Sequence, residues 1–158
     1  MSRTYLRLRF DDDGDGTGKL LARAEAGGFG GEGGAYFSIS EIENFAKAIS
    51  SFPLPSDDKR LSISSGFGSP KRVGELEQEH LGITVYLADA QRGYVGIQVQ
   101  MATEIWPRSR PKSKKAAQIE VVTTYEPLSR FSKDLIALVQ GKIKEALLEG
   151  EVLPPSWM

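Results

Sequence analysis

Residues 11–19, DDDGDGTGK, hold the densest set of potential ligand atoms in the chain. Carboxylates stand at alternating positions, glycines follow, and a lysine closes the stretch. A calcium loop of the EF-hand type takes oxygen ligands at positions 1, 3 and 5, glycine at 6 and a bidentate glutamate at 12. Asp11, Asp13, Asp15 and Gly16 meet the first four demands, but position 12 is Ala22, which has no ligand atom. A phosphate-binding P-loop needs a glycine five residues before its Gly-Lys glycine, and Ser or Thr after the lysine. Asp13 and Leu20 occupy those two places around Gly18 and Lys19. Both motifs fail at residues their chemistry cannot spare. The expectation is a solvated hairpin turn whose Asp and Gly residues meet its dihedral demands.

His80, the one histidine, follows Glu75, Glu77 and Glu79. On a strand the three glutamates share one face and His80 takes the other. An imidazole beside carboxylates can do general acid–base work, but no matching nucleophile stands nearby. The expectation is a charged, solvated sheet edge, which also resists mispairing.

The segment 107–115, PRSRPKSKK, carries Arg108, Arg110, Lys112, Lys114 and Lys115 and no acid. The 20 basic residues less these five leave 15 against 21 acidic ones, so the run is the most polarised part of the chain. Such a run fits phosphate or an acidic protein surface. No aromatic residue interleaves it, so the base-stacking pattern of single-strand binders is missing. A flexible polar loop is the simpler reading. Trp106 and Trp157 also stand out. Trp106 falls out of phase with the apolar series before it, which assigns it to the polar sheet face, where a helix would cover it or a binding patch would use it.

The elements that must position these residues follow from periodicity. Residues 5–10 and 19–26 alternate, and the short Asp/Gly loop between them predicts a hairpin. Residues 27–34, GGFGGEGG, hold six glycines and are expected to form a mobile loop. A short strand over 35–40 leads into a helix from Ser40, with Glu43 completing a capping box. Ile42, Phe45, Ala46 and Ile49 form that helix's apolar face, and Pro53 with Pro55 ends it by Phe52. Strands are predicted at 60–65, within 73–87, over 95–105 and over 117–125. Pro127 suits the first turn of a last helix, with Leu128, Phe131, Leu135, Leu138, Val139 and Ile143 inward and Gly150 as its stop.

The order β-β-β-α-β-β-β-β-α lacks βαβ alternation. The fold class is therefore α+β: an antiparallel, curved or two-layer sheet of about seven strands with two covering helices. One domain spans 1–150, and 151–158 is a tail. With 158 residues, 40% hydrophobic and 26% charged, the chain has a globular composition. The absence of cysteine rules out disulfides, thiolate zinc sites and a cysteine nucleophile. No stretch reads as a signal peptide or a membrane span. The expected setting is cytoplasmic, with no cofactor and no metal.

The segment GGAYFSISEIENFAKAISSFPL resembles the centre of small bacterial proteins of the WapI-type immunity class and their uncharacterised relatives. There a glycine-rich turn and a strand ending in a small polar residue lead into a helix of similar spacing. The closing TTYEPLSRFSKDLIALVQGKIKEALL fits the same plan. The resemblance implies neutralising a cognate bacterial toxin by binding it, a non-enzymatic, protein-binding role, or an unknown role shared by the relatives. It carries over no catalytic residue. Two alternatives follow from the residues themselves. One is a small-ligand binder or enzyme on the concave sheet face, with Glu75, Glu77, His80 or Tyr94 as polar contacts. The other is nucleic-acid contact through the 107–115 loop.

Overall fold

The computed structural model describes residues 3–54 and 61–152. It is an α+β structure built from two four-stranded antiparallel sheets and two helices. Strands β1 (Tyr5–Asp12), β2 (Thr17–Ala26) and β3 (Phe29–Ser38) form a meander, and β8 (Ala146–Glu149) joins the free side of β1, giving the order β3-β2-β1-β8. The second sheet runs β4 (Ser62–Gly68), β5 (Leu76–Asp89), β6 (Tyr94–Ala102) and β7 (Ala116–Thr124), in sequence order. Helix α1 (Ile39–Ile49) follows β3, and α2 (Tyr125–Val139) follows β7.

Alternation decides which residues point inward. Leu6 and Leu8 of β1, Leu20, Ala22 and Ala24 of β2, Ile83 and Val85 of β5, and Val95, Ile97 and Val99 of β6 are all buried. They join the apolar faces of both helices in a single core. Each fully buried Leu or Ile contributes about 1.5–3 kcal/mol relative to exposure. Helix α2 packs on β8 and β1, and α1 packs on α2, β3 and β4. At the other side β3 lies directly against β5, β6 and β7. The helices thus fill the space between the sheets toward β1 and β8, and both inner faces are occupied by core.

The glycine-rich stretch is the largest departure from expectation. It is a paired strand and not a mobile loop: Phe29 to Ser38 pair with Ala26 to Thr17 in register. Gly27 and Gly28, with φ 60 and φ 86 degrees, supply the hairpin turn that mirror-image dihedrals demand. The remaining glycines permit close approach. A Cβ on Gly31 would sit 2.7 Å from Ala117 Cβ, and one on Gly33 would sit 2.9 Å from Met101 Cβ. Composition predicts flexibility for such a run, but ladder bonds and a facing sheet hold it.

Other boundaries shift for local reasons. The first helix is capped by Ser38 and Glu41, in a full capping box, two residues before the expected Ser40 and Glu43. The last helix stops at Val139, because Gly141 takes a positive φ and the chain turns back. Ala146–Glu149 then forms β8, an eighth strand where the pattern predicts helix as far as Gly150. Beyond β8, Gly150 N–H donates to the Thr4 carbonyl at 2.8 Å and Glu151 N–H to the Val122 carbonyl at 2.7 Å, tying the two sheets together at one edge. At the opposite edge Ser65 Oγ donates to the Tyr36 carbonyl at 2.6 Å.

The opening DDDGDGTGK segment joins β1 and β2, as expected. Asp12 Oδ1 accepts from Gly14 N–H, and Asp15 Oδ1 accepts from the N–H and hydroxyl of Thr17. The Thr17 hydroxyl and N–H hold the Asp15 carboxyl below its usual range, because both favour the charged form. The Gly16 carbonyl also accepts from Ile39 N–H at 2.9 Å, so the turn is docked on the start of α1. Ala22, at the position a calcium loop would fill with glutamate, is buried core.

Candidate functional site

The strands of the second sheet place most of the predicted site residues at one end. Strand β5 enters there, and β6 leaves there into the 103–115 connection. Strand β6 ends at Ala102, so Ile105 and Trp106 belong to that connection and not to a continuous strand.

His80 owes its position to an irregularity. Ser65 pairs with Leu81 and Gly66 with Glu79, so His80 is the extra residue of a bulge. Bulges re-aim side chains, which defeats simple alternation. His80 is 4% exposed, contrary to the expected solvated edge. Its ring meets Phe67 edge-on, with centroids 4.5 Å apart. Nε2 lies 3.0 Å from Gln78 Oε1.

Gln78 organises the site. Its Nε2 donates to the Ile105 carbonyl at 2.8 Å, and its Oε1 accepts from Ile105 N–H at 3.0 Å. This two-point clamp imitates a strand pairing and holds the chain just before Trp106. It also fixes the amide orientation, so Oε1 faces His80 as an acceptor and His80 Nε2 carries a proton. The Gln78 oxygen and one of its two amide N–H groups are thereby spent.

Trp106 is 56% exposed, and among the described residues no helix covers it, unlike the first of its two sequence-level alternatives. One side of its ring packs on Phe67, with centroids 4.8 Å apart and planes tilted by 55°. Its backbone N–H donates to Ser109 Oγ at 3.0 Å, and Ser109 N–H donates back to the Trp106 carbonyl at 2.9 Å. The indole is therefore presented on a hydrogen-bonded turn. A cavity of about 440 Å³, open to solvent, is lined by Phe67, Glu77, Gln78, Ile105, Trp106 and Pro107. Next to it lies a cleft of about 600 Å³ that includes Glu77, Glu79, His80, Thr103, Pro111 and Lys114 in its lining.

The basic segment is more ordered than a flexible loop. Pro111–Ser113 forms a short 3-10 turn, Ser113 Oγ donates to the Arg110 carbonyl at 2.6 Å, and Lys115 exchanges bonds with Thr103. Arg108, Arg110, Lys112, Lys114 and Lys115 are exposed, and among the described residues none is in an ion pair. Lys114 shares the cleft with Glu77 and Glu79.

Two predicted residues are elsewhere. Glu75 precedes β5 and pairs with Arg72 at 3.4 Å. Tyr94 begins β6 opposite Thr124, at the far end of the strand from Ala102. Trp157 lies outside the described residues. The concave-face arrangement of Glu75, Glu77, His80 and Tyr94 is therefore not assembled, and the inner sheet faces where such a pocket would open are filled by core. Phe67, Gln78, Pro107 and Ser109 are site residues that sequence reasoning misses. Gln78 and His80, two residues apart on one strand, are the available signal for a shared side.

The charged outer face of the first sheet is largely self-satisfied. Arg23 donates to the Tyr5 hydroxyl at 2.9 Å and pairs with Glu32 and Glu25, and Arg7 and Arg9 both reach Glu145. Among the described residues no group of three or more His, Asp or Glu side chains is placed to hold a metal ion, and no helix is long and apolar enough to cross a membrane. The Trp106 end offers a fixed aromatic surface flanked by exposed charge, a geometry for recognition. No family model matches the chain, and no curated protein or solved structure matches it either.

Proposed function

We propose that this chain is a non-enzymatic protein-binding domain and that the Trp106 end of the second sheet is its contact face. The observation that carries the reading is Trp106 itself. Its indole is exposed yet pinned by Phe67 and by the Ser109 turn, so it loses little freedom on binding. Interfaces concentrate their energy in such Trp, Tyr and Arg anchors. The five exposed cations beside it would steer a partner of opposite charge into place. His80, buried and committed to Gln78, is built into the scaffold and is not poised for proton transfer.

The resemblance to WapI-type immunity proteins supplies the class of partner: a cognate bacterial toxin, neutralised by occupation. Occupation requires shape and anchors, not reacting groups. The test is calorimetry of the purified chain against the product of an adjacent toxin-like reading frame. A stoichiometric complex is expected, weakened about thirtyfold or more by Trp106→Ala, the size of a hot-spot loss. Turnover of a small molecule by the chain, or no complex with that product, would overturn the proposal.

A further inference from the structure

The cavity beside Trp106 has a composition that restricts what can fill it. Four of its six lining residues, Phe67, Ile105, Trp106 and Pro107, present apolar or aromatic surface. Of the two polar ones, Gln78 has its oxygen and one amide N–H engaged by Ile105 and His80 and keeps a second N–H. Glu77 is the one charged group. Its carboxylate accepts hydrogen bonds and cannot donate while ionised, and among the described residues it forms no ion pair. The cavity thus offers a flat π-face, one acceptor-only anion and a single amide N–H.

A ligand group that suits the π-face and the anion must be flat, cationic and rich in donors. Carboxylates and phosphates are disfavoured by Glu77, and a purely apolar group would gain nothing from that exposed carboxylate. A guanidinium satisfies each demand: it stacks on an indole, and its fork of N–H donors matches a carboxylate. Trp is the best π partner for such a cation. Among the described residues the cation–π contacts are on Tyr5 and Tyr36, so the Trp106 face is not taken by the chain's own cations.

We infer that the cavity lined by Trp106, Phe67 and Glu77 is a receptor for an arginine side chain of the partner protein. The guanidinium lies on the outer indole face and donates to Glu77. This inference rests on the protein-binding reading and names the residue type that the contact face selects. The neighbouring basic segment sharpens the selection. Five cations disfavour a highly basic partner surface, so the arginine must be presented singly, with neutral or acidic residues around it.

The test uses the full chain and small probes, so it does not depend on having the partner. N-acetyl-arginine amide is titrated while the Trp106 indole Nε1–H and the Gln78 side-chain amide are followed by NMR, in a Trp157→Phe background that leaves one indole signal from Trp106. A saturable shift at both reporters is expected, with none from the isosteric, neutral N-acetyl-citrulline amide. Glu77→Gln should raise the Kd about threefold to fivefold, the size of one exposed charge pair. Trp106→Ala should abolish the shift at Gln78 while the remaining spectrum stays dispersed. Equal shifts from citrulline, shifts from N-acetyl-glutamate amide in place of arginine, or arginine binding that survives Trp106→Ala would each overturn the inference. If the arginine probe fails while Trp106→Ala still weakens the protein complex, the binding face stands and its arginine specificity is overturned.

Discussion

Replacing Gly31 by alanine should destabilise the protein although alanine is the better residue by composition. The new methyl carbon would lie 2.7 Å from Ala117 Cβ and 3.3 Å from Met101 Cε. Ordinary carbon–carbon contact needs about 3.5–4.0 Å. Met101 can turn aside, but Ala117 Cβ has no rotamer to change, so β3 and β7 must separate by about 1 Å to restore that contact distance. Overpacking of this kind costs about 1–3 kcal/mol. Gly31 has no positive φ, so alanine adds no backbone strain and recovers about 0.4–1 kcal/mol of unfolded-state entropy. The net loss is about 1–2 kcal/mol, or about 3–8 °C in Tm for a chain of this size. Gly30→Ala is the control. Its methyl would meet Glu25 Cγ at 2.8 Å, in a side chain that can shift by loosening its pair with Arg23, and the Ala24 carbonyl oxygen at 3.3 Å. That variant should lose less than Gly31→Ala, about 0.5–1 kcal/mol. Thermal unfolding by circular dichroism reads both. Ala117→Gly should cost less in the Gly31→Ala background than in wild type, because it removes the opposing methyl. If Gly31→Ala and Gly30→Ala melted alike, the direct glycine-mediated contact between the sheets would be wrong.

Four further outcomes are expected. Ser38 is the helix cap, so Ser38→Ala should lower stability by about 1 kcal/mol, while Ser40→Ala has a much smaller effect in the same urea titration. Thr17 depresses the Asp15 carboxyl, so its contribution to stability is present above the unfolded value of 3.8 and is lost as pH falls through the lower folded value; Asp15→Asn keeps the acceptor and should flatten that acid limb in melts taken against pH. Gln78→Leu removes three hydrogen bonds and should cost about 2–4 kcal/mol while freeing the indole, read as lower fluorescence anisotropy of Trp106 in a Trp157→Phe background. Replacing Arg108, Arg110, Lys112, Lys114 and Lys115 by glutamine should slow association with the proposed protein partner about tenfold or more at low salt and leave Tm unchanged, measured by stopped-flow mixing.

Where the core decides structure, the chain is readable from its sequence. The alternation of Leu6 and Leu8, of Ile83 and Val85, and of Val95, Ile97 and Val99 locates strands correctly, and the Ile42, Phe45, Ala46 and Ile49 spacing locates α1. Tertiary context decides the rest. Gly31 and Gly33 are structural because of what faces them, which no local pattern records. Strand β8 follows the helix after residues 140–145, where Gly141 takes a positive φ, and its buried Ala146 and Leu148 keep a period of two over too few residues to stand apart from the helical pattern before them. At the site, the chain end of β6 and the basic run are visible in the sequence, but a one-residue bulge turns His80 from the expected solvated edge into buried scaffold. Trp106 reads as a sheet residue because the period-two pattern runs on through Ile105, past the last ladder pair at Ala102.

Chemical-shift mapping of the chain in complex with a protein partner tests most directly whether the proposed Trp106 end is its contact face. The largest changes are expected at Phe67, Glu77, the Trp106 indole and 107–115, with the outer face of the first sheet, at Leu21 and Tyr36, unaffected. Changes confined to Leu21, Tyr36 and their neighbours, with the Trp106 indole unmoved, would contradict it.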